Sequence, residues 1–316
     1  MDRLSSRAFA SGCTIDLAGL AFRVTLGNER RGEAFEELLG TLDPSDAAPE
    51  IEVTWRDEPA TVPERESEYP HPGLDSWQEG ERAIYQAGGV TAITEGNSIE
   101  LGGDEEDLLL PFRYVFEPAL THVLARTGRF MLHSGAVARD GEALLLIADS
   151  GQGKSTLSWA AAQNGWSLLS DDHTIVRPTD GGFELIGVPK PLAVPEEVLE
   201  EEIGVLVERF GRRRRQLPAT MLGRGWYPLI ATIRPRHGDT PEGALEPSSA
   251  SELLDLLIGS YAALGDADLL RRFFPHAANL TRGQTWDLYH GSDPETRLQV
   301  AAGWLDVALR HGRDGH

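Results

Sequence analysis

The sequence predicts an α/β protein of two domains, a small α/β accessory domain over residues 1–105 and a larger P-loop domain over 106–316. Two observations carry that reading. The first is the run Ala148-Asp149-Ser150-Gly151-Gln152-Gly153-Lys154-Ser155-Thr156, set between the apolar stretch 143–147 and the helix-forming stretch 157–163. Strand, glycine-rich turn, Gly-Lys-Ser and helix is the order that aims backbone N–H groups and a helix N-terminus at phosphate oxygens. The second is the pattern of the first hundred residues, where short alternating segments surround one amphipathic stretch.

Composition bounds the answer. The 316 residues are 41% hydrophobic, enough for ordinary cores, and no run approaches the ~18 apolar residues of a membrane span. The start lacks an apolar signal core, so the expectation is a soluble, cytoplasmic protein without a membrane partner. The single cysteine, Cys13, excludes an internal disulfide and any multi-cysteine metal site. Net charge is −21, which argues against nucleic acid as a partner. The charge is uneven: residues 1–110 carry 24 acidic and 8 basic side chains, a net −16. Solubility accounts for such a surface, and so does a docking face for a basic peptide.

In order along the chain, Leu20–Leu26 alternates as a strand and Glu33–Leu42 reads as a short helix with Phe35, Leu38 and Leu39 on one side. Glu50–Trp55 alternates strictly. Residues 57–80 are rich in Pro, Glu and Ser and read as a loop, and 82–101 holds two or three more strands. A helix is expected over 106–127, interrupted or kinked at Pro111 and Pro118. Phe130–Ala138 then reads as a strand, joined through Asp140-Gly141 to the strand entering the loop; Asp-Gly between apolar runs signals a hairpin. That places His133 in the hairpin. After the helix that follows the loop, Gly165-Trp166 closes it and Ser167–Ser170 returns as a strand. Pro195–Phe210, Ser251–Leu264, Asp266–Phe274 and Asp293–Arg310 read as helices, and Thr285–Tyr289 as a late strand.

The candidate chemistry sits around the loop. Ser150, Gly151, Gln152, Gly153, Lys154, Ser155 and Thr156 would bind the phosphates, with Lys154 reaching their outer oxygens and the Ser155 hydroxyl ligating Mg²⁺. Ala148 stands where the usual pattern begins with glycine. Asp171 and Asp172 follow Ser155 by one helix and one returning strand, which brings both carboxylates beside the loop. Phosphoryl transfer to a hydroxyl needs one carboxylate on Mg²⁺ and one base near the acceptor. His133 would orient or tune such a carboxylate; His173, after the doublet, is expected to point away. Lys190, in a Pro-framed turn, would meet the transferred phosphate. Arg212 to Arg215 follow an expected helix, where cations are stabilising in themselves. With Arg224, Arg212 and Arg215 are candidates for gripping nucleotide phosphate or an acidic peptide.

His133-Ser134-Gly135, the strand, Ser150–Ser155, the helix and Leu169-Ser170-Asp171-Asp172 resemble the catalytic core of the HPr kinase/phosphorylase family, related in fold to ATP-dependent phosphoenolpyruvate carboxykinases. The resemblance covers about residues 129–176 and extends toward 195. It implies an ATP- and Mg²⁺-dependent kinase. Lys154 matches the phosphate-binding lysine, Ser155 the metal-ligating serine, Asp171 the base acting on the acceptor serine, Asp172 the metal-associated aspartate, and His133 the active-site histidine, with Ser134 inserted before the glycine. Thr156 stands where the family usually has Glu, and Gly187–Leu192 stands in place of its downstream signature. The chain is thus more similar to divergent HPr-kinase-like kinases of bacterial gene clusters, some of which phosphorylate a serine of a ribosomal peptide precursor, as in lasso-peptide tailoring. The implied partner is a peptide or small protein carrying a serine. Homo-oligomers occur in the family, but the segments that assemble them have no match here. Two rivals stand beside this reading: a kinase for a small metabolite such as free serine or a sugar, and a non-catalytic ATP-binding regulatory module.

Overall fold

A computed structural model of the chain describes all residues except 1–3, 40–41, 69–72, 104–108, 150, 191, 197–203, 210–211, 218–221, 262–265, 292–296 and 315–316. It is a mixed α/β protein, and the chain divides into two compact units: Met1–Phe130 with Ala262–Arg272, and Met131–Tyr261 with Phe273–His316.

In the first unit the elements run α1 (Ser6–Ser11), β1 (Cys13–Leu17), β2 (Leu20–Thr25), α2 (Glu29–Leu39), β3 (Asp43–Pro44), β4 (Ile51–Arg56), β5 (Asp75–Glu79), β6 (Arg82–Ala87), β7 (Val90–Glu95), β8 (Ser98–Gly102) and α3 (Leu109–Arg126). The strands form one sheet in the order β3-β1-β2-β4-β8-β7-β6-β5. Strict alternation makes β4 a strand, buried at Ile51, Val53 and Trp55 and exposed between them. β5 lies inside the stretch expected as loop, because Trp77 is buried against Ile84 and Ile93. Pro111 falls in the first turn of α3, where its missing N–H costs nothing, and Pro118 lies inside the helix. α3 packs on β6, β7 and β8. The compact units therefore divide at Phe130, not near 105: the helix expected to open the second domain belongs to the first. Its core is aromatic, with Phe35 5.0 Å from Phe9 and 5.4 Å from Phe116, ring centre to ring centre.

The second unit contains β9 (Phe130–His133, entering from the first unit), β10 (Gly135–Arg139), β11 (Glu142–Leu146), α4 (Lys154–Gln163), β12 (Ser167–Ser170), β13 (His173–Thr179), β14 (Gly182–Gly187), β15 (Leu192–Pro195), β16 (Val205–Arg209), β17 (Arg212–Leu217), β18 (Tyr227–His237), β19 (Ala244–Pro247), α5 (Ala250–Ser260), β20 (Gln284–His290) and α7 (Arg297–Asp314). Helix α6 (Ala267–Leu280) begins in the first unit's second segment and ends here. The main sheet runs β12-β10-β11-β18-β14-β13-β9, with β20 also on β18 and β19 on β20. The Asp140-Gly141 turn joins β10 to β11 as expected, both residues at positive φ (56° and 83°). β11, β18 and β20 are parallel, so their carboxyl ends share one edge of the sheet. α4 and α7 pack together over it, burying Leu144, Leu146, Leu157, Trp159, Ile233, Leu288 and Leu305.

Two expectations fail here. Where a helix is expected over 195–210, the described residues Pro195 and Val205–Arg209 are strand: β15 and β16 flank β17 in a separate three-stranded sheet. Gly204, at φ +75°, approaches the Gln216 backbone closely, and Val205-Leu206-Val207 continues from it as strand. Residues 197–203 of that expected helix lie outside the described residues. His133 also lies outside the loop hairpin. The chain changes direction at buried Ser134, whose N–H donates to Asp172 O at 3.0 Å, so His133 ends β9 at the far end of the sheet order and, of β9 and β10, it is β10 that pairs with β11.

Candidate functional site

The loop after β11 is built as a cradle. Gly151 and Gly153 both take positive φ, 86° and 96°, which side chains other than hydrogen rarely adopt. Gly153 caps α4, so Lys154 opens the helix where its free N–H groups point outward. Lys154 is buried, with Nζ on the Ala148 carbonyl and 3.4 Å from that of Asp149. Burial pushes its ammonium below the usual lysine range, against the opposing charges of Asp149, Asp172 and Asp171. The same electrostatic neighbourhood therefore holds Lys154 and the Asp pair. Gln152, Ser155 and Thr156 are half-buried around the loop. Ser150 lies outside the described residues. Such a cradle of aligned N–H groups and one desolvated cation fits a polyphosphate.

Asp172 is the hub of the opposite wall. His133 Nδ1 lies 3.2 Å from its Oδ1, and Lys190 Nζ and His173 Nδ1 lie 3.2 and 3.1 Å from its Oδ2. Burial would raise this carboxyl; Lys190, His173 and the hydrogen bond from His133 outweigh it and hold Asp172 well below the usual carboxylate range. Lys190 Nζ is also 3.0 Å from His173 Nδ1. One nitrogen cannot both donate to Asp172 and accept from Lys190, so His173 Nδ1 makes one of these two hydrogen bonds at a time. Ser170 anchors the turn, its Oγ accepting from the N–H groups of Asp172 and His173 at 3.2 and 3.1 Å.

Several expectations are revised here. Lys190 sits beside Asp172, buried and bound to it and to His173. His173 does not point away; it packs edge-on to His133, ring centres 5.5 Å apart. The arginine block follows no helix. It forms β17, and alternation puts Arg213 and Arg215 on one side, both reaching Glu196 at 3.1 and 3.5 Å. Arg212 belongs to the same strand, and its side chain lies outside the description. Arg224 is exposed between Gly223 and Gly225.

His133, Asp172 and His173 each offer one ligand atom, all within 4.8 Å of one another. Two imidazole nitrogens and a carboxylate suit a transition ion better than Mg²⁺, which favours oxygen. The oxygens of Ser155 and Asp172 suit Mg²⁺ by their chemistry.

The other side of the loop was not anticipated. Arg234, just past the end of the β11–β18 pairing, is buried and bound by Asp287, with Nε 2.8 Å from Oδ1, and by Glu252 at 2.6 Å. Arg236 reaches Asp287 at 3.0 Å and Glu252 at 3.4 Å. His290, closing β20, lies with Nε2 3.3 Å from the Gln152 carbonyl. The only sequence signal was the Arg-Pro-Arg alternation on an otherwise apolar strand.

No family model matches the chain, and no curated protein matches it. Among solved structures, the HPr(Ser) kinase/phosphatase from Coxiella burnetii is similar at 12% identity, over 57% of this chain and 97% of that one, with a TM-score of 0.28. A likeness of that size decides neither fold nor chemistry. No helix among the described residues is long and apolar enough to cross a membrane.

Proposed function

We propose that this protein is an ATP-dependent phosphotransferase that moves the γ-phosphate to a hydroxyl, the acceptor being a serine of a peptide or small protein. The observation that carries the reading is the convergence on Lys154 of a left-handed glycine cradle and the charges of Asp171 and Asp172. ATP bound in the cradle supplies the phosphoryl group. The loop amides and Lys154 hold its phosphates in line, and electrostatic positioning is most of what phosphoryl transfer needs.

The two aspartates divide the work by environment. Asp172, clamped by three nitrogen groups and depressed in proton affinity, is a weak base and a good anchor; with Ser155 it would hold Mg²⁺. His133 keeps it oriented. Asp171 takes the acceptor proton. The resemblance to peptide-serine kinases of lasso-peptide clusters enters here, as the source of the peptide acceptor, with the first compact unit as the recognition module and the cytoplasm as the place of action.

Asp171→Asn tests the roles. It should keep MgATP binding and lose phosphate transfer to serine peptides encoded beside this chain's gene, read by intact-mass spectrometry. Unchanged turnover would remove Asp171 as the base.

A further inference from the structure

The loop has two flanks. In the sheet order β12-β10-β11-β18, Asp171 and Asp172 follow β12 on one side of β11, while Arg234 to His237 end β18 on the other. On that second flank an open cleft of about 450 Å³ borders Ala148, Asp149 and Gln152, with Arg236 and the α5 residues Glu252 and Asp255 on its far wall. Its size suits the nucleoside half of a nucleotide.

We infer that this cleft is the nucleoside subsite, with Glu252 and Asp255 accepting hydrogen bonds from the ribose hydroxyls. The inference rests on the phosphotransferase reading above. A triphosphate seated in the cradle with its transferable end toward Asp171 must leave the loop on the opposite flank. The cleft opens there, where the parallel strands β11, β18 and β20 end, the usual place for ligands of such sheets.

Charge separates a nucleoside from further phosphate. Asp149, Glu252 and Asp255 outnumber Arg234 and Arg236 on the lining, and both arginines already bind carboxylates. A negative-leaning cleft repels phosphate and accepts hydroxyl donors, the role carboxylates play toward ribose in dinucleotide folds. Glu252 and Asp255 lie three positions apart on α5, hence on one face, as two adjacent hydroxyls require.

Calorimetric titration of the full chain with MgATP, Mg-2′,3′-dideoxy-ATP and Mg-tripolyphosphate tests this. The wild type should bind MgATP about tenfold or more tighter than the dideoxy nucleotide, the worth of charge-assisted hydrogen bonds. Asp255→Ala should shrink that gap to roughly twofold, with tripolyphosphate affinity as in the wild type. Glu252→Gln is the second variant, and circular dichroism checks that both fold. An undiminished gap in both variants overturns the inference while tripolyphosphate binding keeps the cradle. Wild-type MgATP affinity in Asp255→Ala with slower turnover of a basic peptide also overturns it, and gives the cleft to the acceptor. Failure of the wild type to bind either MgATP or tripolyphosphate overturns the phosphotransferase reading and this inference together.

Discussion

Replacing Gly153 by alanine tests the cradle and its outer support in one experiment. Gly153 sits at φ 96°, ψ 14°, a backbone that costs an alanine about 1–2 kcal/mol. The added methyl would lie 2.7 Å from His290 Nε2 and 3.2 Å from its Cε1. That ring is the end of a half-buried side chain, so it swings aside and gives up its 3.3 Å contact with the Gln152 carbonyl, a loss of about 1 kcal/mol. Gly153→Ala should therefore cost about 2–3 kcal/mol. His290→Ala removes the same contact and should cost about 1 kcal/mol. In the double variant the contact is lost once, so the total falls short of the sum of the singles by about 1 kcal/mol. Urea unfolding of the four proteins measures the cycle, and Mg-tripolyphosphate titration should show Gly153→Ala at least about tenfold weaker as the loop amides turn away. A cycle additive within about 0.3 kcal/mol would refute the packing of His290 on the loop. A Gly153→Ala protein as stable as the wild type would refute the left-handed cradle.

Other perturbations follow the same accounting. Lys190→Met takes from the Asp172 carboxylate, whose side chain is only 22% exposed, its lysine partner and leaves His133 and His173 beside it; it should cost about 3 kcal/mol in urea unfolding, the low end for a broken buried pair, and a cost under about 1 kcal/mol would mean that Asp172 does not depend on Lys190. Arg234→Met should cost about 3 kcal/mol, the low end for a broken buried pair because Arg236 still reaches Asp287, and Arg234→Met/Asp287→Leu should recover most of it; no recovery would show that the packing of Arg234, not its charge, matters. Stability should also fall with acid through His122. Burial, opposed by Asp266 and reinforced by Arg126 and Arg272, lowers its imidazole from 6.5 to about 4. The unfolded chain then takes up the proton first, so the contribution is full above pH 6.5 and declines toward pH 4. By about pH 5 the wild type should have lost roughly 2 kcal/mol relative to His122→Gln, and parallel pH curves for the two would contradict a buried neutral His122.

How far the sequence could be read depended on the range of each interaction. The loop, the Asp140-Gly141 hairpin and strand β4 were legible because neighbours in sequence dictate them: positive-φ turn residues, a Gly-Lys-Ser register and two-residue alternation. Residues 205–209 were misread because apolar spacing there fits a helix as well as a strand, and what decides is the approach of Gly204 to the Gln216 backbone, a contact no local pattern announces. The candidate site divides the same way. Lys154 and the Asp pair came from spacing. His173 was misjudged because two-residue alternation predicts the far face, whereas the turn held by Ser170 brings its ring onto Asp172; the bond from Lys190 to Asp172, 18 positions away, was not foreseen. Arg234 and Asp287, 53 positions apart, were missed altogether.

The segment Ala262–Arg272 carries a consequence for biosynthesis. It belongs to the first unit but is encoded after Tyr261, deep within the second. During translation the amino-terminal 130 residues emerge early yet must wait for this piece, which brings Asp266 to within 3.7 Å of His122 and buries Leu269. Domain-by-domain folding on the ribosome is thereby closed to this chain: the first unit is completed only after residues 131–261 of the second have been made. A nascent chain stalled before residue 262 should be protease-sensitive in its first unit, and cutting the gene at residue 130 gives an amino-terminal fragment that lacks part of its unit and a second fragment that carries the missing piece.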